Sequence, residues 1–291
     1  FGTGGSRVPP QADDRTSATA ELVAGTPTGF YRRVMQTLAR SQVPYLVGGA
    51  YALAHYTGVP YRTKDFDLFL KRADVPRAQE ALESAGFPTS LVFSHFLAKV
   101  HEGPSFVDLI FGSGNGIAAV DDQWFDYSVR GEVFGIVVSF CPIEEIIWSK
   151  AFIMERERFD GGDISHVLLA TAERLDWPRL LERFGPHWRV LLAHLILFGF
   201  VYPGRRSLIP PTVLGDLLQR LRNEPSAWDE EDLCRGGLLS RMQYMHDLSE
   251  MGMRDARLAP DGSMTREEID AWTEAAEAEE AEEAEEGEEA E

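Results

Sequence analysis

The sequence predicts an α+β protein: a mixed β-sheet with flanking helices over residues 29–141, then a helical domain over 142–255. Three observations predict it. Up to Cys141, short apolar runs alternate with segments of helical period. Beyond Cys141 the segments are helical, with few strand signals between them. The chain then shifts to Ala and Glu. At 291 residues and 44% apolar side chains it can bury a core of one large or two ordinary domains. Residues 1–28, rich in Gly, Pro, Ser and Thr without period, read as a disordered segment. Residues 256–291 read as an acidic, largely disordered tail. From Thr273 on, its like charges repel and it offers no apolar face.

The elements follow in order. Phe30, Val34 and Leu38 recur at helical spacing in "GFYRRVMQTLARSQ". "VPYLVGGA" is a short apolar strand ending at Gly48 and Gly49, "AYALAHYTG" a helix stopped by Gly58, and "TKDFDLFL" the next strand. "ADVPRAQEALESAGF" has an N-cap candidate in Asp74 and a terminating Gly86. "LVFSHFLAKVHEG" and "SFVDLIFGSG" read as two strands joined by a Gly-Pro turn, and Tyr127 to Phe140 as a hairpin. "PIEEIIWSKAFIMERERF", "DISHVLLATAERL", "DWPRLLERFG" and "HWRVLLAHLILFGFV" are successive helices.

The net charge of −19 belongs mostly to the end of the chain. Glu267 to Glu291 carries fourteen acidic side chains and no basic one, which leaves the rest with 28 basic against 33 acidic. That body is too mildly acidic to exclude a nucleic-acid partner, and it has no basic stripe to demand one. No run approaches the roughly eighteen consecutive apolar residues of a membrane span. Val190 to Tyr202 comes nearest, and it contains His194. The N-terminus has no secretory pattern. Cys141 and Cys234 lie far apart without a CxxC partner, so a disulfide framework and a zinc knuckle are not expected, and a cytoplasmic location is.

Asp65 and Asp67 sit one residue apart in an apolar strand, so both project from one face while Phe66 and Leu68 face the other way. Two such carboxylates repel unless a cation lies between them. Mg²⁺ suits them, since it takes one or two protein carboxylates together with substrate phosphates. A Gly48–Gly49 turn opening a helix can set backbone N–H groups against a phosphate. Gly-Gly alone is usually just a tight turn and DxD alone a surface strand; their order and spacing carry the signal. Asp108, the one charge in "SFVDLIFG", needs a partner if buried and is the candidate third acid. His55, His95, His101 and His166 lack metal-ligand spacing and read as structural.

Gly48–Gly49, "RTKDFDLFL" and "VDLIF" together resemble the nucleotidyltransferase superfamily, with its polymerase-β-like fold. Arg62-Thr63-Lys64 before the acid pair resembles the AbiEii-type branch of toxin and phage-defence enzymes, as does "EEIIWSKAFIMERERFDGGDISHVL". The resemblance covers about Tyr45 to Leu169. It implies that Asp65 and Asp67 bind Mg²⁺, or Mn²⁺ in its place, and that Asp108 completes a second metal site. It implies that Gly48, Gly49, Arg62, Lys64, Lys150 and Arg158 bind the NTP. It further implies transfer of an NMP to an acceptor hydroxyl of tRNA, of a protein or of a small molecule, and an antitoxin partner. Lys150 and Arg158, eight residues apart, would share a helix face. Arg156 reads as solvated, Asp160 as an active-site or loop residue, and Asp163 equally as an N-cap or a site residue. Two other functions compete: an aminoglycoside-like adenylyltransferase, and a nucleotide-sensing or interaction protein of the same fold without catalysis. A DxD glycosyltransferase fits poorly, because too little chain precedes Asp65 for a fuller α/β nucleotide-binding half.

Overall fold

The computed structural model describes residues 27–61, 63–224 and 232–289. Most of the N-terminal segment read as disordered therefore lies outside the described residues, and so does Arg62. The architecture is α+β, a mixed sheet with flanking helices followed by a helical part.

Helix α1 (Thr28–Arg40) opens the described chain and buries Phe30, Tyr31, Val34, Met35 and Leu38, the face its apolar period marks. Strand β1 (Leu46–Val47) leads through Gly48 into α2 (Gly49–Thr57), which Gly58 ends at φ +69°. Strand β2 (Asp67–Phe69) follows, then α3 (Val75–Ser84). Asp74 stands at the N-cap of α3, but its side chain makes no capping hydrogen bond.

The segment read as one strand from Leu91 is a hairpin. Strands β3 (Thr89–Phe93) and β4 (Leu97–Glu102) are antiparallel around a turn at Ser94–Phe96, where neither Gly nor Pro marks the reversal. The Gly-Pro turn leads on to β5 (Ser105–Ile110). A short α4 (Asp122–Asp126) precedes the hairpin of β6 (Val129–Val133) and β7 (Ile136–Phe140).

The seven strands stand in the order β3-β4-β5-β2-β1-β7-β6. Strand β2 runs parallel to β5 and β1 parallel to β7, while β1 and β2 are antiparallel. Phe66, Leu68, Val107 and Leu109 are fully buried on one side of the sheet, where the Tyr31 ring stacks on Phe66 at 4.8 Å.

Helices α5 (Ile143–Lys150), α6 (Gly161–Thr171), α7 (Trp177–Phe184), α8 (Trp188–Val201) and α9 (Pro211–Arg222) build the second part. Helix α6 packs on α2, so the helical part lies against the helix that the glycine turn opens. Helix α5 is shorter than its sequence pattern: it ends at Lys150, and Met154 pairs with Phe159 across a tight reversal. Trp177–Val201 is long and apolar enough to cross a membrane by length and composition. Gly185 at φ +45° and Pro186 nevertheless divide it into α7 and α8, and Arg179 and Arg183 within it are buried in ion pairs, as in a core helix pair.

The remaining elements are β8 (Leu233–Cys234), α10 (Met245–Ser249), β9 (Arg254–Asp255) and α11 (Arg266–Glu289). They correct the placement of the acidic tail. Arg257 is 1% exposed and bonded to Asp255, and Met264, Ile269, Thr273 and Ala276 are buried. Trp272 lies against Gly114, where a Cβ would come within 2.5 Å of the indole. Ile269, Trp272, Thr273 and Ala276 recur at helical spacing, so the inward face of α11 begins ahead of Thr273 and of the Glu-rich run.

Candidate active site

The carboxylates meet through strand register. On the parallel pair β2–β5, Asp67 stands opposite Asp108, and the Asp108 N–H donates to the Phe66 carbonyl at 3.0 Å. The ladder begins only there, so β2 is shorter than expected and Asp65 lies just ahead of it. Asp65 is exposed in a turn that Thr63 closes, its N–H donating to the Thr63 hydroxyl at 3.0 Å. The alternation still holds: Phe66 and Leu68 face the core, and Asp65 and Asp67 face away from it.

Asp67 reaches across to the glycine turn. Gly49 has φ +52°, and a Cβ built on it would fall 1.6 Å from Asp67 Oδ2. Glycine is required twice over, for the left-handed backbone and for the seat of the carboxylate. Gly49→Ala is therefore expected to destabilise the protein by about 2 kcal/mol and to abolish activity by expelling Asp67. Thermal unfolding and an activity assay check the two effects separately.

Gly48 does something else. Its N–H donates to the Asp67 carbonyl at 3.0 Å, and a Cβ there would strike the Phe69 ring. It is a close-packing position, and its N–H is already engaged within the fold.

Electrostatics set these acids apart. Burial pushes the Asp67 carboxyl up to about 7, with the Asp108 and Asp65 charges adding to the rise and Lys150 and Arg158 opposing it. Burial raises Asp108 too, against the pull of Lys99. Lys99 Nζ stands 3.4 Å from Asp108 Oδ1, yet that buried oxygen has no hydrogen-bond partner. A buried carboxylate beside a second acid fits a cation; Lys99 supplies one to Asp108, and among the described residues Asp67 has none within salt-bridge distance. Among the described residues, however, no group of three His, Cys, Asp or Glu side chains is arranged to hold a metal ion. The exposed position of Asp65, outside the strand, keeps the three acids from forming a ready-made three-ligand cage.

The helical part supplies the opposing charge. Lys150, at the end of α5, donates to Asp160 Oδ2 at 2.6 Å and lies 2.8 Å from Asp163 Oδ2. Arg158 grips both oxygens of Asp160 at 3.1 Å. The two cations do not share a helix face as expected; the reversal after Phe152 brings Arg158 back to Lys150 through Asp160. Burial alone would lift Asp160, but Arg158 and Lys150 outweigh it and hold the carboxyl below its usual range. Asp160 occupies the N-cap position of α6 without a capping bond, and Asp163 lies in the first turn, turned toward Lys150. Arg156 is 81% exposed and pairs only with Glu157 among the described residues. Lys64 is exposed, and its carbonyl accepts from the Tyr31 hydroxyl.

The histidines have structural partners: His55 stacks on Phe140, His95 bonds the Gly114 carbonyl, His101 bonds Ser90, and His166 lies 3.4 Å from the Tyr61 hydroxyl. Lys99 is the residue that the sequence did not single out.

No protein-family model matches the chain, and no curated protein matches it. Among solved structures it is similar to that of the antibiotic-resistance factor ANT(2'')-Ia, at 17% identity over 60% of this chain and 96% of that one, with a TM-score of 0.42. An antigenic nucleotidyltransferase-like protein from Paracoccidioides brasiliensis is 15% identical over 64% of this chain and 93% of its own, with a TM-score of 0.40. The lincosamide antibiotic adenylyltransferase LnuA, bound to lincomycin, is 14% identical over 50% of this chain and 96% of its own, at 0.35. Likeness at this level carries no argument about activity, so the functional reading rests on the residues.

Proposed function

We propose that the chain is a Mg²⁺-dependent nucleotidyltransferase. The observation that supports it is the pairing of Asp67 with Asp108 on adjacent parallel strands, over a glycine that leaves room for Asp67, with Lys150 and Arg158 acting on the same carboxylate. Mg²⁺ held by Asp65 and Asp67 supplies Lewis-acid stabilisation of charge on the phosphate oxygens when bound. The protein's own groups do the rest. The N-terminus of α2 at Gly49 faces the triphosphate with its helix dipole. Lys150 and Arg158 exchange their aspartate partners for phosphate oxygens, and the sequence adds Lys64 and Arg62. Asp108 takes the proton of an acceptor hydroxyl. The acceptor oxygen then bonds to the α-phosphorus, the α–β phosphoanhydride bond breaks, and pyrophosphate leaves.

The acceptor in this reading is a tRNA or protein hydroxyl, as for toxin or defence enzymes, with an antitoxin as partner. The Lys150–Arg158–Asp160–Asp163 grouping favours it, because those are the residues through which the sequence resembles the AbiEii-type branch. Adenylylation of an aminoglycoside-like small molecule is the alternative.

The test uses purified protein, Mg²⁺ and each α-³²P-labelled NTP with tRNA, total RNA, the protein alone, or an aminoglycoside panel. Label on RNA or protein that is lost in the Asp65→Asn/Asp67→Asn double variant is the expected result. Label on drug alone selects the alternative acceptor. Label persisting in the double variant, or none from any NTP, overturns the proposal.

A further inference from the structure

Strand register extends the acid row beyond Asp67 and Asp108. On the antiparallel pair β4–β5, Lys99 stands opposite Asp108, so Asp67, Asp108 and Lys99 form one line across three adjacent strands. Side chains directly opposite one another share a sheet face. The Lys99 side chain is only 25% exposed and is held from two directions. Its Nζ lies 3.4 Å from Asp108 Oδ1 and 3.8 Å from the centre of the Phe106 ring, which lies two residues before Asp108 on the same strand face. A lysine so placed stays beside the acid instead of reaching into solvent.

The charges then divide into three groups. Lys150 and Arg158 are matched by Asp160 and Asp163. Asp108 is matched by Lys99. Among the described residues no side chain makes a salt bridge to Asp65 or Asp67; Lys150 and Arg158 act on Asp67 only at longer range, so these two carboxylates lack a direct ionic partner and leave a place for one divalent ion.

We infer, resting on the nucleotidyltransferase reading above, that Lys99 is a built-in substitute for a second metal ion. The centre takes a single divalent cation, on Asp65 and Asp67. Asp108, paired with the Lys99 ammonium, serves the acceptor hydroxyl instead of ligating metal. An ammonium at 3.4 Å supplies one positive charge to the acid without occupying both of its oxygens. Asp108 therefore keeps an oxygen to receive the acceptor proton.

Mn²⁺ counting tests this without turnover. Electron paramagnetic resonance titrations of the full chain are run with α,β-methylene-ATP and with its CTP, GTP and UTP counterparts. The wild type is expected to hold one Mn²⁺ per chain in the presence of the nucleotide it accepts. Lys99→Met, which keeps the length of the side chain and removes its charge, is expected to hold two, with Mn²⁺–Mn²⁺ dipolar coupling. Lys99→Arg should hold one. Two ions in the wild type, or one in a folded Lys99→Met protein, overturns the inference while leaving the nucleotidyltransferase reading intact. No nucleotide-dependent Mn²⁺ in any protein overturns both. Circular dichroism establishes that Lys99→Met is folded; should it unfold, the wild-type count decides alone.

Discussion

Asp67→Asn is expected to lower nucleotide transfer by about a thousandfold or more and, without metal at pH 8, to raise the melting temperature. The two effects share one cause. Asp67 is desolvated beside two other acids, and its carboxyl is pushed up to about 7 in the fold, from an ordinary 3.8. Between those values the folded protein binds a proton that the unfolded chain has released. Stability contributed by this group is full below pH 4 and is lost as pH rises through 7, a difference on the order of a few kcal/mol. Asparagine keeps the shape and the Gly49 contact without the charge, so its stability should be flatter across that window. The gain at pH 8 should be about 5 °C or more for a chain of this size. Mg²⁺ together with an NTP should reverse the wild-type trend and protect more at pH 8 than at pH 6, because only the ionised carboxylate binds the ion well. Calorimetry across pH 5–8, with and without Mg²⁺, checks the sign. A variant that is less stable than the wild type at pH 8 would refute the account of a carboxylate held at electrostatic cost.

Much of this centre was legible in the sequence because burial of a charge is conspicuous. Asp108, a lone acid in an apolar strand, had to meet something, and the parallel register places Asp67 opposite it. The Phe30–Val34–Leu38 period and the Gly58 stop gave α1 and the end of α2 for the same kind of reason: local geometry writes itself into spacing. Lys99 was illegible because a lysine in "LAKVHEG" reads as an outward-facing strand residue. Only the β4–β5 register turns it toward Asp108. The β3–β4 turn was missed because Ser94-His95-Phe96 lacks turn chemistry, and the end of α5 because Phe152 and Ile153 prolong the apolar period past Lys150. For Lys99 the deciding contact lies on the neighbouring strand, and no pattern within its own strand encodes it.

Arg179→Met is expected to cost about 3–5 kcal/mol of stability, and it tests whether the helical part is held in place by charge. Arg179 on α7 is 6% exposed. It donates to Glu144 at 2.6 Å and chelates Glu145, whose side chain is fully buried on α5. Arg183, one turn further on, bonds Glu145 at 2.9 Å and Asp121 at 2.6 Å, tying both helices to the segment before α4. Removing Arg179 strands two acids in a dry site with one remaining cation, which is the costly way to break a buried network. Removing charge from both sides should cost far less: Arg179→Met/Glu144→Gln/Glu145→Gln is expected to recover most of the lost stability, though Arg183 then loses one partner. Denaturant unfolding of the single and triple variants checks the order. The network also bears on activity. Helix α5 ends at Lys150, so a loosened α5–α7 contact should raise the KM for NTP more than it lowers kcat. If the single variant unfolds at the wild-type denaturant midpoint, the network does not anchor α5, and the position of Lys150 must be set by Asp160 and Asp163 alone.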